Sequence, residues 1–234
     1  MSNPRDILTR YDIKPQKRLG QSFLVEQNSI AKIAQIANIA RNDIVVEVGA
    51  GIGVLTESLA QQADRVIALE LDHQLIAVLQ DRLSAYHNVD IKHVNVLRFD
   101  FRQITKSANQ RIAVVGNIPY NISSPLLFHL LSFRDVIHSF VLMMQKELID
   151  RLIAVPGNKQ YGVPSVILQM FAAVERVMNI PATFFYPRPK VESSVMKGVF
   201  LDQPVMKLNN EEFFVRLVRD SFAQRRKMLL NNLK

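Results

Sequence analysis

The chain has 234 residues, 48% of them hydrophobic, which suffices for one α/β domain with a small appendage. It contains no cysteine, which excludes disulfides, thiolate zinc sites and a cysteine nucleophile and fits a reducing compartment. No apolar run approaches the roughly 18 residues of a membrane span, and Asp6 and Asp12 argue against a secretory signal. We therefore expect a cytoplasmic protein that does not enter a membrane.

The positive charge is concentrated at the two ends of the chain. The formal net charge is +8, of which residues 1–25 carry +3 and residues 184–234 carry +5, while residues 26–183 are neutral. If the fold brings the two ends together, they form a basic surface suited to a polyanion such as nucleic acid. The alternative is that both basic ends are merely solvated.

The first predicted elements are a basic arm, a helix and a strand. The arm covers residues 14–25 and ends in Gly-Gln-Ser-Phe-Leu-Val. Helical spacing of apolar residues predicts a helix over residues 28–40 with Asn28 as its cap. Residues 44–48 are almost wholly apolar, as expected of a buried parallel strand.

A glycine-rich loop follows that strand. Residues 49–53 read Gly-Ala-Gly-Ile-Gly, and such glycines let the backbone approach a ligand at the start of the next helix. Val54 stands where the dinucleotide fingerprint needs its third glycine. Glu47 precedes the loop, and Glu70 ends the next strand about 20 residues later, where an acid can bind a ribose diol. This arrangement is typical of an S-adenosylmethionine site.

The most informative stretch is Gly116-Asn117-Ile118-Pro119-Tyr120, at the end of a predicted strand. The Asn side chain offers one acceptor and two donors, the Pro stiffens the turn, and the Tyr ring offers a face for stacking. This set suits a planar ring that carries an exocyclic amine. The same residues could instead form an ordinary strand-ending turn.

The rest of the chain is interpreted as mainly structural. The five histidines are scattered without ligand spacing, so no metal site is assigned. The predicted elements are a helix over 123–133, a strand over 136–144, a helix over 145–153, a loop over 156–162, a strand over 195–201, a linker over 201–209 and a helix over 211–222.

Taken together, these motifs resemble the small-subunit ribosomal RNA adenine N6,N6-dimethyltransferases, from about Lys17 to the end of the chain. The motifs that carry the resemblance are Gly20-Gln21-Ser22-Phe23-Leu24, Val46-Glu47-Val48-Gly49-Ala50-Gly51, Leu69-Glu70-Leu71-Asp72, Gly116-Asn117-Ile118-Pro119-Tyr120-Asn121-Ile122-Ser123, Met144-Gln145-Lys146-Glu147, Tyr161-Gly162, Phe185-Tyr186-Pro187-Arg188-Pro189-Lys190-Val191-Glu192-Ser193 and Phe222-Ala223-Gln224-Arg225-Arg226-Lys227.

The resemblance implies a set of residues that contact S-adenosylmethionine. Two of them depart from the usual pattern: Ser22 replaces Asn or His, and Asn95 replaces an Asp that would accept from the adenine amine of the cofactor. We expect the cofactor to bind nonetheless, with a weaker contact at Asn95. The implied cofactor contacts are Ser22, Leu24, Gly49, Gly51, Glu70, Asn95 and Asn117.

The resemblance also implies the chemistry, which is methyl transfer to N6 of adenine without a metal. The Asn117 oxygen and the Ile118 carbonyl would hold the amine, and Tyr120 and Phe185 would stack on the two faces of the base. Pro119 completes the catalytic turn. Basic residues would contact phosphates without reading sequence. They are Lys14, Lys17, Arg18, Arg188, Lys190, Arg225, Arg226 and Lys227.

We therefore expect a doubly wound, Rossmann-like α/β methyltransferase core over residues 1–201, followed by a short C-terminal helical extension. Residues 202–234 would begin a helical RNA-binding domain that looks truncated. The implied substrate is a pair of adjacent adenines in a hairpin near the 3′ end of small-subunit ribosomal RNA, within an immature subunit, and the enzyme would be monomeric. Two alternatives remain open: a macrolide-resistance methyltransferase of large-subunit RNA, and a non-catalytic assembly or RNA-binding factor.

Overall fold

A computed structural model describes residues 4–39, 43–105 and 110–224, and its centre is a seven-stranded sheet. The strands of the described part are β1 (Phe23–Leu24), β2 (Ile44–Val48), β3 (Arg65–Glu70), β4 (Val89–His93), β5 (Ile112–Asn117), β6 (Ile137–Gln145), β7 (Ala172–Ile180), β8 (Phe185–Tyr186) and β9 (Ser193–Phe200). The large sheet has the order β4-β3-β2-β5-β6-β9-β7, and β1 pairs separately with β8.

The first five strands of that order are parallel, whereas β9 runs antiparallel to both β6 and β7. The chain order reverses at β2, which lies between β3 and β5. In open α/β sheets, ligands bind outside the carboxyl ends of the strands at such a reversal. The topology therefore places the candidate site where β2 and β5 end.

Helices cover both faces of the sheet, because neighbouring residues of each central strand point to opposite sides. Val46 and Val48 pack on one face with residues of the helices that follow β5 and β6, and Val45 packs on the other face against the helices around the glycine loop. The helices are α1 (Pro4–Arg10), α2 (Gln27–Ile36), α3 (Val54–Ala60), α4 (His73–Arg82), α5 (Ser123–Leu131), α6 (Lys146–Leu152), α7 (Val163–Phe171) and α8 (Glu211–Ser221). Short 3-10 helices cover Lys17–Leu19, Val96–Arg98, Phe101–Ile104, Tyr120–Ile122 and Ala182–Phe184.

The expected Rossmann-like α/β core is thus confirmed, with differences at helix ends. Asn28 is not the cap of α2: the carboxylate of Glu26 accepts hydrogen bonds from the backbone N–H groups of Asn28 and Ser29, so the helix begins one residue earlier. It also ends at Ile36, before Asn38 takes a left-handed conformation with φ of 47°.

The last described helix, α8, packs on the α/β core. Val218 is buried in the main core cluster, and Phe214 lies edge-on to Phe171 with ring centroids 6.4 Å apart. The carboxylate of Glu211 pairs with Arg134 at 2.6 Å. One apolar face of this helix therefore packs against α7 and the main core.

Candidate active site

A cavity of about 160 Å³ lies at the carboxyl ends of β2, β3 and β5. Its wall combines the N-terminal arm, the glycine loop, the turn after β5 and the segment after β4. Most of the predicted site residues line it, namely Ser22, Gly49, Gly51, Glu70, Asn95, Asn117, Ile118, Pro119, Tyr120 and Phe185. Leu24 is the exception, because it lines a smaller adjoining cavity that shares Gly49, Gly51 and Asn117.

The glycine loop has the geometry that only glycine adopts easily. Gly49, Gly51 and Gly53 have φ angles of 70°, 60° and 80°. A side chain on Gly51 would also meet the ring of Phe23 at 3.3 Å. The guanidinium of Arg82, at the end of α4, donates to the Ile52 carbonyl in the loop and pairs with Glu57 of α3 at 2.5 Å. These contacts hold the loop against α4.

Glu70 is held under this loop by three backbone N–H groups. Its Oε2 accepts from Gly51 at 2.8 Å, and its Oε1 accepts from Leu71 at 2.7 Å and from Asp72 at 2.8 Å. Burial raises the pKa of Glu70, and the three backbone donors oppose that shift. Each carboxylate oxygen has more than one acceptor position, so Glu70 can still accept from a ribose hydroxyl.

Glu47 lies beside the smaller cavity and is only 2% exposed. Among the described residues, neither its Oε2 nor the Thr56 hydroxyl has a hydrogen-bond partner. Burial raises the pKa of Glu47 to about 8, and the charge of Glu70 raises it by a smaller amount. A buried oxygen without a partner beside a glycine cradle is what a polar ligand would satisfy.

The side chain of Asn117 has a defined orientation. Its Nδ2 donates to the Ser22 carbonyl at 2.8 Å, and a carbonyl can only accept, so the amide oxygen points away from Ser22. The turn is fixed by a bond from the Ile118 N–H to the Met143 carbonyl at 2.9 Å. Gly116 lets this turn approach β2, because a side chain there would lie 2.5 Å from the Val48 carbonyl oxygen.

The two rings predicted to stack on the base differ in how much of each is exposed. Tyr120 is half-buried, and its hydroxyl lies 2.9 Å from the Ser193 hydroxyl. Burial raises the pKa of Tyr120, so the phenol stays neutral. Phe185 is 2% exposed and is held opposite Leu24 by the pairing of β1 with β8. Its contact with a ligand is limited to the part of the ring that lines the cavity.

Both residues that depart from the family pattern are already engaged. The Ser22 hydroxyl donates to the Pro187 carbonyl at 2.9 Å. The Asn95 side-chain oxygen accepts from the Leu97 N–H at 3.0 Å and caps the short helix that follows. Asn95 therefore brings its amide hydrogens to the site together with an oxygen that already has one donor.

Sequence reasoning gave no role to a cluster that fixes the N-terminal arm. The Asp72 carboxylate is 5% exposed and accepts from the side-chain amides of Gln16 at 2.9 Å and Gln21 at 2.6 Å. Gln21 and Asp72 both belong to the motifs that carry the family resemblance. No local sequence pattern indicates that their side chains contact each other.

The structure brings two segments that carry predicted RNA-binding residues next to each other. The pairing of β1 with β8 and the bond between Ser22 and Pro187 bring the arm beside the 187–190 segment. The described members of this set are all exposed, namely Lys14, Lys17, Arg18, Arg188 and Lys190. The others, Arg225, Arg226 and Lys227, lie outside the described residues.

The described part of the chain shows neither a candidate metal site nor a candidate membrane span. No group of three or more His, Asp or Glu residues there could hold a metal ion. Within residues 4–39, 43–105 and 110–224, no helix has the length and apolar character that crossing a membrane requires.

Comparison with known proteins agrees with this geometry. The family model described as ribosomal RNA adenine dimethylase matches residues 13–234. The protein is 45% identical to the ribosomal RNA small subunit methyltransferase A of Syntrophus aciditrophicus, over 100% of this chain and 84% of that protein. It is 42% identical to the protein of the same name from a Geobacillus species, over 98% and 80%.

Solved structures give the same result. A dimethyladenosine transferase from Plasmodium falciparum aligns with a TM-score of 0.79 and 31% identity, over 89% of this chain and 73% of that one. The 23S rRNA methyltransferase ErmE aligns with a TM-score of 0.76 and 26% identity, over 90% and 83%. The resemblance inferred from the motifs is confirmed: the chain belongs to the ribosomal RNA adenine dimethylase family and is an S-adenosylmethionine-dependent ribosomal RNA methyltransferase.

Proposed function

We propose that the protein dimethylates N6 of two adjacent adenines in a hairpin near the 3′ end of small-subunit ribosomal RNA. It acts as a monomer on an immature subunit in the cytoplasm. Residues 1–201 form the catalytic unit, and residues 202–234 begin the part that docks the RNA. The observation that carries the proposal is the orientation of Asn117, whose amide oxygen is left to accept from an amine in the cavity.

The residues of the main cavity and of the smaller adjoining cavity together fit S-adenosylmethionine. The glycine loop offers a cradle that a side chain would fill, Glu70 suits a ribose, and Glu47 has a buried oxygen without a partner among the described residues. When bound, the cofactor supplies an electrophilic methyl group on a sulfonium. We assign its contacts to Ser22, Leu24, Gly49, Gly51, Glu70, Asn95 and Asn117.

The protein's own contribution is to orient a weak nucleophile. The lone pair of adenine N6 is delocalised into the ring, so the amine must be turned before it can attack. Hydrogen bonds from N6 to the Asn117 oxygen and the Ile118 carbonyl hold its hydrogens in place. Tyr120 and Phe185 hold the ring after it leaves its neighbours in the RNA. This is positioning rather than acid–base catalysis, and it is effective because well-oriented groups react much faster than free ones.

The basic residues around the opening would hold the RNA backbone. Arg18 and Arg188 lie on the two segments that β1 and β8 bring together. Cations at such an opening neutralise phosphates and set the register of the substrate without reading its sequence. Lys14, Lys17 and Lys190, with Arg225, Arg226 and Lys227, complete the proposed set.

Methyl transfer from labelled S-adenosylmethionine tests the proposal. Immature small subunits and large-subunit RNA are offered in parallel, and the modified base is identified by mass. Dimethyladenine in the small subunit alone is expected. Label in the large-subunit RNA would instead support the macrolide-resistance activity, and bound RNA without label would support a non-catalytic factor.

A further inference from the structure

We propose that Gln21, bound to Asp72, is a positioning residue for methyl transfer because it sets the orientation of the Asn117 amide. The inference rests on the proposed role of Asn117. It concerns residues 16–25 of the N-terminal arm, which run from the end of β3 across the cavity to β8.

The first step is the attachment of the arm to Asp72. The Asp72 Oδ2 accepts from the Nε2 atoms of Gln16 and Gln21, and its Oδ1 accepts from the Gln74 N–H at 3.0 Å. The Oε1 of Gln21 accepts from the Gln16 N–H at 2.7 Å. Both polar ends of Gln21 are therefore used inside the protein. Hydrogen bonds to a buried carboxylate are among the stronger ones, so this attachment holds its geometry.

The second step leads from the attachment to the amide. Ser22 follows Gln21 directly, and its carbonyl accepts from the Asn117 Nδ2 at 2.8 Å. Gly20, on the other side of Gln21, has a φ of 65° and touches the catalytic turn: a side chain there would lie 3.0 Å from Asn121 Oδ1 and 3.3 Å from Pro119 Cβ. A shift of Gln21 therefore moves the carbonyl that orients Asn117.

The third step concerns what else holds the arm. From Phe23 onward it is fixed independently, because β1 pairs with β8 and the Val25 N–H donates to the Phe184 carbonyl at 2.8 Å. Loss of the Gln21 bonds therefore leaves the arm attached at β8, and attached at Asp72 only through the Gln16 Nε2. We expect a misplaced amide rather than an unfolded protein.

Asp72 also contacts Glu70, the acid proposed to bind the ribose of the cofactor. The Asp72 N–H donates to Glu70 Oε1 at 2.8 Å, so one residue contacts both the proposed ribose acid and the arm that orients Asn117. The side of the cavity that would hold the cofactor is thus joined through Asp72 and Gln21 to the side that would hold the adenine.

The test is Gln21→Met, which keeps the length of the side chain and removes both hydrogen bonds. Its matched control is Gln169→Met in α7, because Gln169 Nε2 also donates to two oxygens, at 2.8 Å and 2.9 Å, far from the cavity. Steady-state methylation, S-adenosylmethionine affinity by calorimetry and thermal unfolding are measured for both. We expect kcat of Gln21→Met to fall about 10- to 100-fold, as misplacement of a catalytic group does. Cofactor affinity should fall by a smaller factor, because Ser22, a proposed cofactor contact, adjoins Gln21.

Several outcomes would overturn the inference. An unchanged kcat would do so, as would an equal loss of kcat in Gln169→Met, or a weakened cofactor affinity with normal kcat, which would make Gln21 a cofactor contact instead. Asn117→Ala is measured alongside. If the parent protein transfers no methyl group to small-subunit RNA, the proposed function fails. If Asn117→Ala keeps its rate, the role of Asn117 fails, and the positioning role of Gln21 fails with it. If Asn117→Ala loses its rate while Gln21→Met does not, only the positioning role of Gln21 fails.

Discussion

The hydroxyl groups of Tyr120 and Ser193 lie 2.9 Å apart, and this contact joins the turn after β5 to the first residue of β9. Ser193 is 1% exposed, so its hydroxyl is fixed by the sheet around it. The ring proposed to stack on adenine is therefore held in place by a residue 73 positions later in the chain.

Removal of this contact should slow methyl transfer moderately. Ser193→Ala leaves the Tyr120 ring in place but frees its hydroxyl, and one such hydrogen bond is worth about 1 kcal/mol. We expect kcat/KM for RNA to fall roughly fivefold, measured with labelled cofactor.

Ser194→Ala is the matched control for this prediction. Ser194 is also buried and donates to Asn179 at 2.7 Å, on a part of β9 that does not line the cavity. Equal losses in the two variants would show that the effect comes from the sheet and not from Tyr120.

Asn117→Ala should abolish methylation and leave RNA binding nearly intact. The variant loses the oxygen that accepts from N6 and keeps the basic surface. We expect the rate to fall by at least about a hundredfold, with RNA affinity measured by filter binding close to that of the parent.

The control for Asn117 is Asn88→Ala. Asn88 also donates Nδ2 to backbone carbonyls, those of Ala60 and Ala63, both at 2.8 Å. It lies away from the cavity, so its loss should lower stability but not the rate per folded molecule. A near-normal rate in Asn117→Ala would remove Asn117 from the mechanism.

The glycine loop and the turn at Asn117 could be predicted because each is a local pattern with a local cause. Strand β2 is apolar apart from Glu47, the glycines follow it directly, and Gly116-Asn117 ends the neighbouring strand β5. The sheet then brings the two carboxyl ends together, as parallel neighbours must.

The attachment of Gln21 to Asp72 could not be predicted in this way. The two residues are 51 positions apart in the chain. The hydrophobic periodicity that predicts helices and strands gives no information about a contact between two such polar side chains. Strand β7 was missed for another reason: it pairs only with β9 at the sheet edge, and exposed polar residues such as Glu175 and Arg176 break its apolar pattern.

Asn95→Asp should tighten cofactor binding. The amide oxygen already accepts from the Leu97 N–H, and the carboxylate would keep that cap while replacing two donors with acceptors for the adenine amine. A gain of about 1 kcal/mol corresponds to roughly fivefold in Kd, measured by calorimetry.

Asp100→Asn provides the opposite substitution at a matched position. Asp100 caps the next short helix by accepting from the Arg102 N–H at 2.9 Å, and it does not line the cavity. Its Kd for the cofactor should stay unchanged. Weaker binding by Asn95→Asp would show that the Asn amide hydrogens contact the cofactor directly.

Glu47→Gln should change the pH dependence of stability. The pKa of Glu47 rises from 4.5 to about 8 on folding, so between these values the folded protein holds a proton that the unfolded chain has lost. The free energy of unfolding therefore falls as pH rises through this window, and the contribution is fully present only below about pH 4.5. Glu47→Gln removes this dependence.

Denaturant unfolding at pH 5 to 9 measures the effect. The difference between parent and Glu47→Gln should change by at most about 1.4 kcal/mol per pH unit, in favour of the variant at high pH. Glu175→Gln on the exposed edge strand is the control. Parallel profiles for parent and Glu47→Gln would mean that the carboxyl ionises normally.

Neutralising the proposed RNA surface should flatten the salt dependence of binding. Arg18 and Arg188 are exposed on the adjoining arm and β8 segment, and each phosphate contact contributes a slope of about 0.7 to 0.9 in log K against log salt. In Arg18→Gln with Arg188→Gln, the slope should fall by about 1.4 to 1.8. Lys92→Gln on the edge strand β4 is the control, and it should keep the parental slope. A parental slope in the double variant would place the RNA backbone on another face, whereas a further fall on neutralising Arg225, Arg226 and Lys227 would extend the surface to the C-terminal cluster.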